Sequence, residues 1–149
     1  MIIIASDHQG FYFKEETKEF IIMLGYQYED YGCFSDERVD YPLYAYRVAS
    51  EVSKNKFKKA ILFCGTGVGM AITANKLPNI RAVNCTDCYT AKMSREHNDT
   101  NILTIGTKVI AAGLAKLIIK TWLESEYKVG YHEQRLDMIS LIEKKEFLV

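Results

Sequence analysis

The stretch that decides the fold is Ile61-Leu62-Phe63-Cys64-Gly65-Thr66-Gly67-Val68-Gly69, followed by Met70-Ala71-Ile72-Thr73-Ala74-Asn75-Lys76. The apolar run reads as a buried strand, with Cys64 at its C-terminal end. Three glycines at alternate positions then lead into a helical pattern. A strand, a glycine turn and a helix entry make an anion site, because unpaired backbone N–H groups point outward there. A thiol at that place also lies near the positive end of a helix dipole, which favours thiolate.

Working outward, strand and helix patterns alternate along the chain. Residues 2–6 are β-like, and Phe11 to Leu24 is helical with Gly25 as its C-cap. Tyr26 to Tyr31 reads as a short strand, and a polar loop with Arg38 and Asp40 leads to Pro42, which suits a first helical turn. That second helix runs to about Asn55, and Lys54 to Lys59 reads as a solvated helix end and turn. Lys59 to Phe63 is the third strand, and the helix after the glycines ends near Lys76. Arg81 to Cys85 is the fourth strand, and Thr86 or Asp87 caps a helix reaching about Glu96. Asn101 to Ile105 is the fifth strand. Helices are expected over Lys108 to Glu126 and over His132 to Lys145, the last with a broad apolar stripe. Strands separated by helices imply parallel pairing through right-handed crossovers. The expected fold is therefore a single-domain, three-layer α/β/α Rossmann-like sandwich, with a five-stranded parallel sheet and an extra C-terminal helix.

Composition bounds the function. The 149 residues are 48% hydrophobic and 26% charged, with 19 basic against 19 acidic side chains. A formal net charge of zero gives no footprint for nucleic acid. No apolar run approaches the ~18 residues of a membrane span. The start, Met1 to Ser6, reads as a strand rather than a signal peptide. The four cysteines, Cys33, Cys64, Cys85 and Cys88, are expected as reduced thiols in a cytoplasmic protein. Cys85 and Cys88 form a lone Cys-x-x-Cys, with no second pair and no spaced His pair, so no metal site is expected.

In parallel sheets, ligands bind at the C-terminal ends of the strands. That rule selects Asp7-His8 after strand one, the loop Ser35 to Tyr41 after strand two, the Cys64 loop after strand three, and Thr107-Lys108 after strand five. His97-Asn98-Asp99 precede strand five, at the opposite end, so they reach the site only from a neighbouring subunit. A dinucleotide loop wants G-x-G-x-x-G at the first strand, and a Walker A loop wants Gly-Lys-Ser/Thr; neither pattern is present. A thiol phosphatase wants an Arg closing the loop, where this chain has Met70. The remaining reading makes Cys64 a base that moves a carbon-bound proton, with polarising donors and an anion holder nearby.

Asp7-His8, Asp40-Tyr41-Pro42, Cys64-Gly-Thr66-Gly-Val-Gly69, Ala74-Asn75-Lys76, Arg81-Ala82-Val83, His97-Asn98-Asp99 and His132-Glu-Gln-Arg135 together resemble type B ribose-5-phosphate isomerase. The resemblance covers nearly the whole chain in order. Galactose-6-phosphate isomerase subunits share the glycine loop but typically lack the His-Asn-Asp run. The resemblance implies a cofactor-independent aldose–ketose isomerase working through a cis-enediol(ate) on ribose 5-phosphate and ribulose 5-phosphate. It implies Cys64 as base, Thr66 as proton shuttle, and His97 with Asp7 as the ring-opening pair. Asn98 and the backbone of Gly65, Gly67, Val68 and Gly69 would hold the enediolate oxygens, and Tyr41 would contact the sugar. His8 and Arg135 would hold the phosphate. Lys108 and Tyr131 stand where the family usually has arginine, so those two substrate positions lose a bidentate fork. The partners implied are a small sugar phosphate and a second copy of the chain, as a homodimer with shared sites or a pair of dimers. A hexose phosphate substrate and a non-catalytic sugar-phosphate sensor are the alternatives.

Overall fold

The computed structural model describes residues 1–55 and 58–145. Its elements, in chain order, are β1 (Ile2–Ser6), α1 (Phe11–Met23), β2 (Tyr28–Asp30), α2 (Tyr41–Lys54), β3 (Lys59–Cys64) and α3 (Val68–Ala74). They continue as β4 (Ala82–Asn84), α4 (Cys88–Asn98), β5 (Ile102–Gly106), α5 (Ala112–Glu124) and α6 (Tyr131–Glu143). The strands form one parallel sheet in the order β2-β1-β3-β5-β4. The expected α/β sandwich is what the chain adopts.

Side-chain alternation along the strands divides the core in two. Ile2, Ile4, Ile61, Phe63, Leu103 and Ile105 face a cluster with Ile21 of α1, Ala91 of α4 and Ile118, Ile119 and Trp122 of α5. Ile3, Ala5, Ala60, Leu62, Cys64 and Ile102 face the other cluster, with Ala45, Val48 and Ala49 of α2 and Met70 and Ala74 of α3. Each such large aliphatic side chain stabilises the fold by about 1.5–3 kcal/mol through burial. Cys64 therefore points to the α2/α3 side of the sheet.

Strand order also fixes where ligands sit. β1 has β2 on one side and β3 on the other, so the chain leaves it in opposite directions and a crevice opens between the C-terminal ends of β1 and β3. Asp7-His8 and the Cys64 loop follow those two ends.

Two expectations need correction. α5 starts at Ala112, not Lys108; Thr107 to Ile110 form a turn, and Lys108 is exposed on it. The turn exists because the N–H groups of Val109 and Ile110 both bond back to Gly106 O. The helix after the glycines already begins at Val68 and ends at Ala74. The expected turn through Lys54 to Lys59 falls in part on residues 56 and 57, outside the described residues. α6 buries none of its residues and leaves Met138, Ile139, Leu141 and Ile142 exposed. No helix among the described residues is long and apolar enough to cross a membrane.

Candidate active site

Cys64 ends β3 with only 5% of its surface exposed. The Gly67 N–H donates to Cys64 Sγ at 3.1 Å, so the glycine turn closes back onto the sulfur. The Val68 N–H donates to Thr66 Oγ1 at 3.3 Å, and Thr66 itself is exposed. Three neighbours hold the loop in place. Thr107 N–H donates to Cys64 O at 2.9 Å, Lys108 N–H to Gly65 O at 3.0 Å, and Asn84 Nδ2 to Thr66 O at 3.1 Å. Gly67 adopts φ +78°, and a Cβ there would lie 2.4 Å from Asn84 Oδ1. A Cβ on Gly69 would lie 2.6 Å from Tyr41 Cζ, so the Tyr41 ring packs on the glycine backbone. Lys108 runs past Gly65, with its Cδ 3.8 Å from where a Cβ would be.

Asp7 and His8 come to the same crevice from β1. Asp7 N–H donates to Phe63 O at 3.1 Å, and Asp7 Oδ1 accepts from Gly10 N at 3.0 Å. Asp7 is 5% exposed. Burial pushes its carboxyl above the usual carboxylate value, against the opposing pull of the Gly10 N–H, His8 and Lys108. His8 Nδ1 lies 3.2 Å from Val39 O, and His8 Nε2 lies 3.0 Å from Gln9 Nε2. The Val39 N–H also donates to His8 Nδ1 at 3.3 Å, so the residue-39 backbone and the Gln9 amide bracket the ring from its two nitrogens.

The second group of expected residues lies at the other end of the sheet. Gly106 of β5 is in register with Cys64, and Ile102 with Ala60. His97 and Asn98 end α4, ahead of Ile102. They are thus separated from Cys64 by at least four residues of strand, about 13 Å. The His97 ring stacks on His132 with centroids 4.1 Å apart and planes 14° apart. Arg135 Nη1 lies 3.5 Å from His132 Nδ1, and its guanidinium sits 5.3 Å from the Tyr131 ring centroid. Asp99 takes a left-handed conformation and bridges Arg81 and Arg95, each at 2.8 Å. A cavity of about 760 Å³, lined by Lys59, Arg81, Arg95 and Asp99 among others, also opens at this end, with no thiol or imidazole in its lining.

The expected site residues thus fall into two groups: Asp7, His8, Tyr41, Cys64 to Gly69 and Lys108 at one end, and His97, Asn98, Tyr131 and Arg135 at the other. A sequence model described as ribose/galactose isomerase matches residues 2–139. The chain belongs to this family. Ribose-5-phosphate isomerase B of Escherichia coli K12 is 44% identical over 144 residues, 97% of each chain. The solved ribose-5-phosphate isomerase B of Clostridium thermocellum superimposes with a TM-score of 0.94 at 45% identity, covering 98% of this chain and 99% of that one. The enzyme of Mycoplasma genitalium, solved with bound ribulose-5-phosphate, gives 0.92 at 33% identity, covering 97% and 96%.

Sequence reasoning missed Asn84, and it placed Gln9, Thr107 and His132 in strand-end segments and motifs without giving them a role of their own. Asn84 and Thr107 carry loop-holding bonds that join strands distant in sequence, and no local pattern announces them. Cys85 is buried, and burial with the Asp87 charge pushes its thiol up to about 12, which leaves it protonated and inert. Among the described residues, no three His, Cys, Asp or Glu side chains group as a metal site.

Proposed function

We propose that this protein interconverts ribose 5-phosphate and ribulose 5-phosphate, as a homodimer in the cytoplasm whose two sites each draw on both subunits. The observation that carries the reading is the Gly67 N–H on Cys64 Sγ, inside a glycine loop flanked by Asp7, His8 and Lys108. A relative solved with the ketose product supports the substrate class.

In the aldose-to-ketose direction, the buried Asp7 carboxyl and His97 of the second copy open the furanose ring by moving a proton from the C1 hydroxyl to the ring oxygen. Cys64 thiolate then takes the proton from C2. The electron pair forms the C1=C2 bond, and negative charge moves onto O1. Backbone N–H groups of Gly65 to Gly69 and the Asn98 amide meet that charge. Thr66 relays a proton between O2 and O1, and the Cys64 thiol returns its proton to C1 as the C2 carbonyl forms. His8 and Arg135 hold the phosphate, with Lys108 and Tyr131 beside them. Every proton returns, so the step balances without redox change.

The test is turnover of ribose 5-phosphate, allose 6-phosphate and galactose 6-phosphate by the wild type and Cys64→Ala. Ribose 5-phosphate turnover that falls by about 10²-fold or more in the variant supports the reading. A preference for a hexose phosphate keeps the chemistry and reassigns the substrate through Lys108 and Tyr131. Tight binding of all three without turnover makes the protein a sensor.

A further inference from the structure

We infer that His132 is the positioning residue for His97: the face-to-face stack of the two imidazoles holds the His97 ring in the plane from which it opens the sugar. This rests on the ring-opening role of His97 proposed above.

Three observations carry it. First, neither nitrogen of His97 has a hydrogen-bond partner among the described residues, so no hydrogen bond orients the ring. What fixes it is the parallel His132 face, 4.1 Å away at 14°. Such a contact restrains the plane yet leaves both ring nitrogens free to exchange protons with a substrate, which a hydrogen bond to protein would not do. Second, His132 is itself held. Arg135 Nη1 lies 3.5 Å from its Nδ1, and the Tyr131 ring centroid is 4.5 Å from its own. Third, α6 is pinned at both ends around this stack. Lys128 N–H donates to Glu96 O at 3.0 Å just before α6, and Glu143 Oε1 accepts from Asn79 N at 2.9 Å at its far end. With no buried residue in α6, these contacts set where the His132 ring lies.

The electrostatics fit. Burial pushes His132 below the usual imidazole value, and His97 and Arg135 add in the same direction. A neutral His132 lets its stacked neighbour take up a proton without a second positive ring beside it. The stack also places the ring-opening imidazole and a phosphate-binding arginine on one docked helix pair, so both reach the second subunit as a unit.

The test separates ring opening from proton transfer. Ribulose 5-phosphate has its C5 oxygen esterified and forms no furanose, so exchange of its C1 proton in D2O reports the Cys64 step alone. His132→Ala is expected to lower kcat/KM for ribose 5-phosphate by about tenfold or more, while that exchange stays within about twofold. His132→Phe restores a flat ring and is expected to recover most of the loss. His97→Ala should give the same selective loss. Equal loss of both rates in His132→Ala, or no rescue by His132→Phe with an unchanged melting temperature, overturns the positioning role. A His132→Ala variant with undiminished turnover overturns it as well. If His97→Ala loses both rates alike, the ring-opening reading fails, and this inference falls with it.

Discussion

Two glycines of the Cys64 loop are glycine for different reasons, and alanine at each has a different expected outcome. At Gly67 the left-handed φ of +78° and the backbone Gly106 N, 3.1 Å from a would-be Cβ, leave nothing free to yield. Gly67→Ala is expected to destabilise the fold by about 1–3 kcal/mol, read as a lower urea midpoint. At Gly69 the obstacle is the Tyr41 ring, whose residue is 39% exposed and able to swing out. Gly69→Ala is therefore expected to leave the urea midpoint within about 1 kcal/mol of wild type while raising KM several-fold. Equal unfolding in the two variants would show that Tyr41 does not give way. The turn through Gly65 and Thr66 is visible in the chain because Gly-rich turns have local signatures. The bond from Asn84 Nδ2 to Thr66 O has none, since β4 arrives beside the loop only through the sheet.

At the scale of elements, α1 is joined to β2 by a buried ion pair. Lys14 is fully buried and donates to Asp30 Oδ2 at 2.5 Å and to Glu15 Oε1 at 2.9 Å, while Lys18 reaches both carboxylates. Burial pushes Asp30 up, but the Lys14 and Lys18 hydrogen bonds outweigh it and hold the carboxyl below its ordinary value of 3.8. A depressed folded value means this stabilisation is full above the ordinary value and is lost as pH falls through the lower folded one. Asp30→Asn leaves the buried Lys14 ammonium with Glu15 as its one remaining carboxylate, so a loss of about 1–3 kcal/mol is expected at pH 7. Urea unfolding should show the wild-type advantage shrinking as the pH drops below 3.8. An advantage that is constant with pH would mean the pair contributes packing rather than charge. Asp30 Oδ1 also accepts from Gly32 N at 2.9 Å, so the same carboxylate shapes the loop that carries Val39 to His8.

The whole molecule makes a prediction that no single element makes. Asp7, Cys64 and Thr66 follow strand C-terminal ends, whereas His97 and Asn98 precede a strand N-terminal end. A homodimer with shared sites pairs Cys64 of one subunit with His97 of the other. Cys64→Ala and His97→Ala should each be nearly inactive on ribose 5-phosphate. Co-expressed, half the dimers are mixed and each has one intact site of two, so about a quarter of wild-type activity should return. Mixed dimers without recovered activity would confine the site to one subunit.

The chain by itself determined the alternation of strands and helices, the thiol at the end of a buried strand and the glycine turn after it. All of these are written in short-range periodicity and in the few residues that tolerate tight turns. It also placed His97 at the wrong end of the sheet for its own Cys64, because parallel crossovers leave no alternative. Only the tertiary structure decided that Lys108 sits on a turn beside Gly65 rather than opening α5, since Gly106 O captures the next N–H groups of the chain. It alone set His132 against His97, Tyr41 against Gly69 and Asn84 against Thr66. Those contacts join segments whose meeting depends on strand order and helix docking, and side-chain spacing along the chain carries no record of either.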